Sequence, residues 1–205
     1  MYTPNSLKMN DIKEQHDFID EFGFGLIISS SLNGTHIPFV LHREEGEYGT
    51  LYAHCAKANP HWKELDQSEV LIVFSGPHSY ISPSWYAKAP GVPTWNYAAV
   101  HGYGIVSLLN NKETLDTVEE VVEKYEPGLL VERDIITDDY RDKLLGAIVG
   151  FKIELTKIEG KLKLGQQRSN EDQQGVYSAL SNSTGLDQQA LADYMKKLNL
   201  GLGAS

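Results

Sequence analysis

The sequence has little of what marks several common classes of protein. Cys55 is the one cysteine among 205 residues, so no disulfide can form within the chain, which suits a reducing compartment. Such a cysteine is more often a small buried hydrophobe than a reactive thiol. No apolar run approaches membrane-spanning length, and the N-terminus has neither the basic region nor the apolar core of a secretion signal. We therefore expect a soluble, cytoplasmic protein with no membrane partner.

Positive charge is also scarce. The chain has 18 lysines and arginines against 28 aspartates and glutamates, which gives a formal net charge of −10, and no block of basic residues stands out. A protein that reads DNA usually presents a basic face to the phosphate backbone. The charge balance therefore argues against strong nonspecific binding of nucleic acid.

Familiar catalytic and metal-binding motifs are missing. Seven histidines invite a metal interpretation, but the chain has no His-Glu-x-x-His motif and no pair of cysteines. Gly-x-Ser-x-Gly is absent, and the Gly-x-Gly pairs at 23–25 and 102–104 lack the third glycine of a dinucleotide fingerprint. Carboxylates are numerous, yet their spacing singles out no acid–base pair. We therefore predict no metal site and assign no catalytic residue.

Short β-branched and aromatic runs predict a mainly β chain. The predicted strands are residues 25–30, 35–42, 49–54, 70–74, 97–109 and 148–158. Because short turns join the first three, we expect these to form an antiparallel meander.

Helical patterns lie between and after the predicted strands. The predicted helices are residues 11–22 with Asn10 as cap, one or two turns at 60–65, a helix from near Asn111, and helices after Ser169, where Ser169 and Asp172 resemble a capping box. We expect an antiparallel barrel decorated with helices. Residues 1–168 should form its domain, and residues 169–205 a helical extension packed on the same domain.

The most distinctive stretch is residues 76–97. It holds four of the eight prolines, which restrict the backbone, and two of the three tryptophans. Aromatic rings alternate there with small polar groups, a mixture that suits a planar heteroaromatic ligand with a polar rim. On spacing alone, a loop whose aromatic side chains fill a core is an equally good interpretation.

Two polar clusters could hold an anion. In the first, Lys57 lies where a strand ends and a short helix begins, an arrangement that binds phosphate well, although a solvated lysine in a turn is the simpler interpretation. In the second, alternation places Lys161, Lys163 and Gly165 on one side of the chain. A solvated strand end explains that cluster equally well.

Three blocks of the sequence occur in the same order in one known family. They read His54-x-Ala56-Lys57-Ala58-Asn59-Pro60-x-Trp62, Gly76-Pro77-His78-x-Tyr80-Ile81-Ser82-Pro83-Ser84-Trp85-Tyr86 and Val92-Pro93-Thr94-Trp95-Asn96-Tyr97-x-Ala99-Val100-His101-x-Tyr103-Gly104. With Met1-Tyr2-x-Pro4 and His36-Ile37-Pro38, they resemble the PaiB-type family of FMN-binding negative transcriptional regulators, up to about Arg168. Several ordered blocks are more specific than a lone motif. The resemblance implies an antiparallel split β-barrel of the FMN-binding type, and a homodimer with flavin at the subunit interface.

The resemblance also implies which residues bind FMN. The phosphate is expected at Lys57 and the backbone around Ala58 and Asn59, beside His54. The family more often has arginine at the position of Lys57; lysine keeps the positive charge but cannot form the paired hydrogen bonds of a guanidinium. The remaining cofactor contacts are expected at Ser82, Ser84, Trp85, Thr94, Trp95, Asn96, Lys163, Gln166 and Arg168.

The family's C-terminal signature, Lys-x-x-Leu-Ser-Gln-Asn, differs here. The chain reads Lys161-Leu162-Lys163-Leu164-Gly165-Gln166-Gln167-Arg168, so Gly165 lacks a hydroxyl and Gln167 stands in place of asparagine. This difference leaves open how the segment contacts FMN.

Two functions from different classes fit these observations. The first is an FMN-binding homodimer that represses transcription, although no helix-turn-helix pattern is evident and the acidic balance is unfavourable for DNA. The second is a flavin-dependent oxidoreductase that uses NAD(P)H to reduce a small acceptor; in it the flavin performs the reaction, so no side chain need be an acid or base. Fold alone does not choose between them, and a barrel that has lost its cofactor is a third interpretation.

Overall fold

A β-sheet organises this computed structural model, which describes residues 1–130 and 137–203. Within these residues eight strands form one sheet: β1 Lys8–Met9, β2 Phe24–Ile28, β3 Gly34–Pro38, β4 Val40–His42, β5 Thr50–Ala56, β6 Glu69–Ile81, β7 Thr94–Leu108 and β8 Ile148–Lys163. The order is β3-β2-β6-β7-β8-β5-β4, and β1 pairs with β8. The pairs β1–β8, β2–β3, β2–β6, β4–β5 and β5–β8 are antiparallel. The predicted antiparallel, mainly β class is confirmed.

Helices flank the strands in the chain. They are α1 Ile12–Glu21, α2 Asn111–Tyr125, α3 Asp138–Leu145, α4 Asn170–Ser181 and α5 Leu186–Leu198, with short 3-10 helices at Asn5–Leu7, Pro60–Glu64, Pro83–Trp85 and Pro127–Leu130. The cap of α1 is Asp11 and not Asn10 as predicted, because the Asp11 carboxylate accepts a hydrogen bond from Lys13 N at 2.9 Å. None of the described helices is both long enough and apolar enough to span a membrane.

Several strand boundaries differ from prediction, and two of these differences affect the fold most. The predicted strand at 35–42 is two strands, and the predicted meander is wrong at that step, because β3 and β4 are not neighbours in the sheet. Pro38 ends β3 with no N–H to donate, and the next amide, Phe39 N, donates instead to Gly23 O at 2.8 Å. The predicted strand at 70–74 continues to Ile81, so the first six residues of the aromatic segment are strand and not loop.

The described residues group into two compact units. The first contains Met1–Asn10, Ser75–Ala99 and Gly160–Ser205, and the second contains Asp11–Phe74 and Val100–Glu159. The division into a domain at 1–168 and a helical extension at 169–205 stays a prediction. Residues 204 and 205 of that extension lie outside the described residues.

The second unit has an aromatic and aliphatic core. Phe39 and Phe74 meet edge to face with their ring centroids 5.5 Å apart. On β8 the side chains of Phe151, Ile153 and Leu155 are buried, as the alternation in that segment predicts.

In the first unit, α4 packs closely on the proline-rich segment. A Cβ added at Gly175 would lie 2.1 Å from Trp85 O, so only glycine allows this approach. One turn earlier, Asp172 Oδ1 accepts a hydrogen bond from Ala87 N at 2.9 Å. Helix α4 therefore holds the segment that follows β6.

Candidate functional site

A cavity of about 400 Å³ lies in the first unit, within the size range of small-ligand sites. Four of the thirteen residues that the sequence assigns to the cofactor line it: Thr94, Asn96, Lys163 and Arg168. Apolar side chains, among them Leu7, Ile81 and Val92, supply other parts of the wall. The cavity thus combines apolar surface with a small group of polar and cationic side chains.

Lys163, the last residue of β8, is one of the two cations that line this cavity. Its Nζ donates to Thr94 Oγ1 at 2.5 Å and to the Trp95 carbonyl at 2.7 Å. Burial is the main cause that lowers the pKa of the Lys163 ammonium. Tyr97 opposes it, and the positive charges of Lys161 and Arg168 lower the pKa further, each by less than Tyr97 raises it. An anionic ligand would relieve this repulsion.

Arg168 lies over the ring of Tyr86 at the same cavity. The guanidinium carbon is 4.1 Å from the centre of the Tyr86 ring, an arrangement that favours a cation. Its Nη1 is 3.9 Å from Asp172 Oδ2, whose side chain is 14% exposed. Tyr86 and Asp172 both line the cavity, so the stacked guanidinium is fixed from two sides.

One departure from the family signature, the glycine in place of serine at Gly165, has a backbone explanation. Gly165 has a φ of +83°, in the left-handed region that favours glycine over serine. Gln166 makes hydrogen bonds within the turn: its Oε1 accepts from Leu164 N at 2.9 Å and its Nε2 donates to Leu162 O at 2.6 Å. Gln166 therefore closes the turn that presents Lys163 and Arg168, and is not among the residues lining the cavity.

Three further predicted residues also lie outside the cavity lining. Ser82 caps the 3-10 helix at Pro83–Trp85, because its Oγ accepts from Ser84 N at 3.2 Å and lies 2.7 Å from Ser84 Oγ. The Trp85 carbonyl faces Gly175 of α4. The contacts of these residues shape the segment itself.

Trp95 belongs to an aromatic cluster on β6 and β7. The Trp95 side chain is 54% exposed, and its ring centroid is 6.1 Å from that of His78 and 6.3 Å from that of Tyr80, which is 44% exposed. Trp95 therefore does not fill a core. We call His78, Tyr80 and Trp95 the aromatic cluster; exposed aromatic surface of this kind is typical of binding sites.

The other four predicted residues lie in the second unit. His54 is on β5, and its Nδ1 is buried with no hydrogen-bond partner among the described residues; burial lowers the pKa of this histidine. Lys57 and Ala58 are exposed. The backbone donors of this turn are partly used, because Lys57 N donates to Ala147 O at 2.8 Å and Asn59 N to Ala56 O at 2.9 Å. The Lys57 ammonium and the Ala58 N–H have no hydrogen-bond partner within the described part of the chain.

Among the lining residues that the sequence did not assign to the cofactor are the two that contact Arg168, namely Tyr86 and Asp172. Tyr86 stands within a block that carries the family resemblance, but no pattern marks it as the partner of Arg168. Asp172 fits a helix-capping pattern, and Ser169 does accept from Asp172 N at 3.2 Å, yet its carboxylate also contacts the backbone of Ala87. The thirteen predicted residues thus divide into nine in the first unit and four in the second.

Other chemistry has less support. Within residues 1–130 and 137–203, no three histidine, cysteine, aspartate or glutamate side chains are arranged to hold a metal ion. Cys55 is buried, and burial raises the pKa of its thiol, which disfavours the reactive thiolate.

Comparison with solved structures shows the fold class. The flavocytochrome Anf3 from Azotobacter vinelandii superposes with a TM-score of 0.62 at 16% identity, over 78% of this chain and 71% of that one. An FAD and heme binding protein from Mycobacterium smegmatis gives a TM-score of 0.57 at 12% identity, over 77% and 74% of the two chains. At these identities the likeness shows the fold alone, and it confirms the predicted split-barrel class.

Comparison of sequences shows the family. The family described as "Putative FMN-binding domain" matches residues 1–157. Protease synthase and sporulation protein PAI 2 of Bacillus subtilis is 34% identical over 204 residues, which cover 96% of this chain and 97% of that protein. The chain belongs to this FMN-binding domain family, as its resemblance to the PaiB-type proteins predicts.

Proposed function

We propose that this protein binds FMN and that the cavity in the first unit takes part of the cofactor. The observation that carries the proposal is Lys163, a partly buried ammonium whose charge is opposed by two neighbouring cations at a cavity with apolar walls. An anionic flavin fits this set of groups. Family membership and the flavin-binding names of the structural neighbours support the same cofactor.

The residues of the cavity suit different parts of such a ligand. Lys163 and Arg168 would hold negatively charged or carbonyl oxygens, and Thr94 and Asn96 would serve polar groups of the ring or the ribityl chain. Lys57, exposed and without a hydrogen-bond partner among the described residues, is proposed for the phosphate. Bound FMN would supply hydride-transfer or electron-transfer chemistry, and the side chains would bind and orient it.

We further propose a cytoplasmic homodimer in which the aromatic cluster of His78, Tyr80 and Trp95 lies against the partner subunit and the flavin. The exposed rings of Tyr80 and Trp95 support this, because large exposed aromatic side chains are enriched at interfaces. The single, buried Cys55 suits a reducing compartment.

For the downstream activity, we propose a regulator of the PaiB type. The support is the match to the Bacillus subtilis sporulation protein along almost the whole length of both chains. The alternative is a flavin-dependent oxidoreductase that uses NAD(P)H. The formal net charge of −10 is unfavourable for binding DNA, and this favours the oxidoreductase over the regulator.

The cofactor is tested by mixing the purified protein with FMN and recording the visible spectrum after gel filtration. We expect flavin absorbance to elute with the protein; flavin that elutes only as the free molecule would contradict the proposal. With the loaded protein, oxidation of NADH or NADPH would support the enzyme. Salt-sensitive binding to a defined promoter fragment would support the regulator.

A further inference from the structure

A second cavity, of about 460 Å³, lies in the second unit and is lined mostly by polar side chains. Its lining includes Thr35 at β3 and three residues of the turn and 3-10 helix after β5: Asn59, His61 and Glu64. Thr35 supplies a hydroxyl, His61 an imidazole and Glu64 a carboxylate to the wall of this cavity. Thr35, His61 and Glu64 are not among the residues assigned to FMN.

The hydroxyl of Thr35 faces the imidazole of His61. Thr35 Oγ1 is 2.8 Å from His61 Nδ1, and it also accepts a hydrogen bond from Asn59 Nδ2 at 3.0 Å. Because the amide N–H of Asn59 occupies one lone pair, the hydroxyl proton is free to point at Nδ1. In that arrangement Nδ1 accepts the hydrogen bond and the ring proton is on Nε2.

The carboxylate of Glu64 favours the same tautomer of His61. Glu64 Oε1 is 3.6 Å from His61 Nε2, which is buried and has no hydrogen-bond partner among the described residues. The negative charge of Glu64 favours the tautomer in which Nε2 of His61 carries the ring proton. The side chain of His61 is 4% exposed, so neighbouring groups and not bulk water set its orientation.

Hydrogen bonds hold the Glu64 carboxylate in its ionised form. Asn33 Nδ2 donates to it at 2.7 Å, Ser31 Oγ at 2.8 Å and Ser29 Oγ at 3.1 Å. The hydrogen bonds from Asn33 and Ser31 lower the pKa of Glu64. Burial lowers the pKa of His61, against an opposing effect of Glu64, so the imidazole is neutral and able to accept a proton at neutral pH.

Local structure explains why these groups meet. Asn59 caps the 3-10 helix by accepting from His61 N at 3.1 Å, and Pro60 fixes the first helical position. His61 and Glu64 are three residues apart, so they share one face of this helix. The amide of Asn59 then ties the start of the helix to Thr35 on β3.

We propose that Thr35 is a nucleophile that accepts an acyl group from an activated ester, with His61 as its general base and Glu64 as the residue that positions His61. The order hydroxyl, imidazole, carboxylate is that of known acyl-transfer sites. Thr35 Oγ1 attacks the ester carbonyl carbon while its proton passes to His61 Nδ1. The bond to the leaving oxygen breaks, the leaving alkoxide or phenoxide takes the proton from His61 Nδ1, and an ester of Thr35 remains for water to hydrolyse.

The proposal is tested on the full chain with p-nitrophenyl acetate. We expect release of p-nitrophenolate together with one added acetyl group, which peptide mass spectrometry places on Thr35. Thr35→Val should abolish this adduct and Thr35→Ser should retain it, with thermal melting to check that both variants fold. Acetylation of lysines alone, or equal acetylation of the Thr35→Val protein at this site, would overturn the proposal.

Two further variants test the assigned roles. His61→Gln should slow acylation by roughly 10²- to 10⁴-fold, the usual contribution of a general base. Glu64→Gln should slow it and move the ascending, acidic limb of its pH profile to lower pH, because Glu64 raises the pKa of His61. If the rate falls in neither variant, or if the Glu64→Gln profile keeps its position, the assigned roles are wrong.

Discussion

Replacement of Lys163 by methionine tests whether the cavity in the first unit binds the anionic flavin through this side chain. Methionine keeps much of the length and apolar character of the side chain but removes the ammonium and both of its hydrogen bonds, to Thr94 Oγ1 and to the Trp95 carbonyl. It also removes one of the positive charges that repel each other beside Arg168. The loss of hydrogen bonds and the relief of repulsion oppose each other in the unliganded protein, so we expect little change in its stability.

The effect on FMN binding should be larger. A hydrogen bond to a charged group contributes about 1.5–3 kcal/mol, and the variant loses that contribution to FMN binding. The loss is not offset by reduced repulsion between cations, because bound FMN itself supplies the negative charge that neutralises them. At about 1.4 kcal/mol for each factor of ten, the dissociation constant for FMN should rise roughly 10- to 100-fold.

The pH dependence of binding has a definite sign. The pKa of Lys163 lies below its ordinary value in the unliganded protein, and an anion bound beside it would raise that pKa. FMN affinity should therefore fall as pH rises through the lowered pKa. Because the folded protein loses this proton before the unfolded chain does, stability without ligand should rise with pH between the lowered pKa and the ordinary pKa of lysine. Both pH effects should be absent from Lys163→Met.

Flavin fluorescence quenching at several pH values measures the dissociation constants. Lys112→Met is a matched control, because the Lys112 side chain is 82% exposed on α2. It should bind FMN as the unaltered protein does. Equal affinity in Lys163→Met and Lys112→Met, with an unchanged pH profile, would refute the assignment of Lys163 to the anion.

Three further predictions concern other parts of the chain. Lys57→Ala should weaken FMN more than riboflavin in the same quenching assay, because only FMN carries the phosphate; equal loss for both would reject the phosphate role. Gly175→Ala should lower stability by about 1–3 kcal/mol in thermal melting, since its Cβ would lie 2.1 Å from Trp85 O. Gly128→Ala is the control and should not lower it, because a Cβ there would meet no atom of the described residues within 4 Å. Similar melting of both variants would contradict the close approach of α4. Trp95→Ala should shift the protein from dimer toward monomer in light scattering, and an unchanged mass would contradict the proposed interface.

The sequence predicted much of the fold because most elements carry a local pattern. The alternation of β8 placed Phe151 and Ile153 in the core, and Pro60 marked the start of a 3-10 helix. The continuation of β6 to Ile81 was missed because Gly76 and Pro77 are typical of turns.

The candidate site was predictable only in part, because it depends on contacts between distant segments. The family blocks contain Thr94 and Asn96, and the C-terminal signature contains Lys163, all three of which line the cavity. Ser82, from the same blocks, forms the local cap and does not line the cavity. Asp172 could not be assigned, since its contact with Ala87 joins residues 85 positions apart.

The His61 arrangement was also beyond sequence reasoning. Thr35 and His61 are 26 residues apart in the chain, and no motif spans that distance. His61, two residues after Asn59 and four after Lys57, reads as part of the same polar cluster. The structure instead turns the ring of His61 towards Thr35.

A crystal structure of the protein with FMN tests the central claim most directly. We predict that the flavin occupies the cavity of the first unit, with Lys163 Nζ and the Arg168 guanidinium within hydrogen-bonding distance of its oxygens. Flavin bound elsewhere, with Lys163 still held by Thr94 and Trp95 and no ligand beside it, would contradict the assignment.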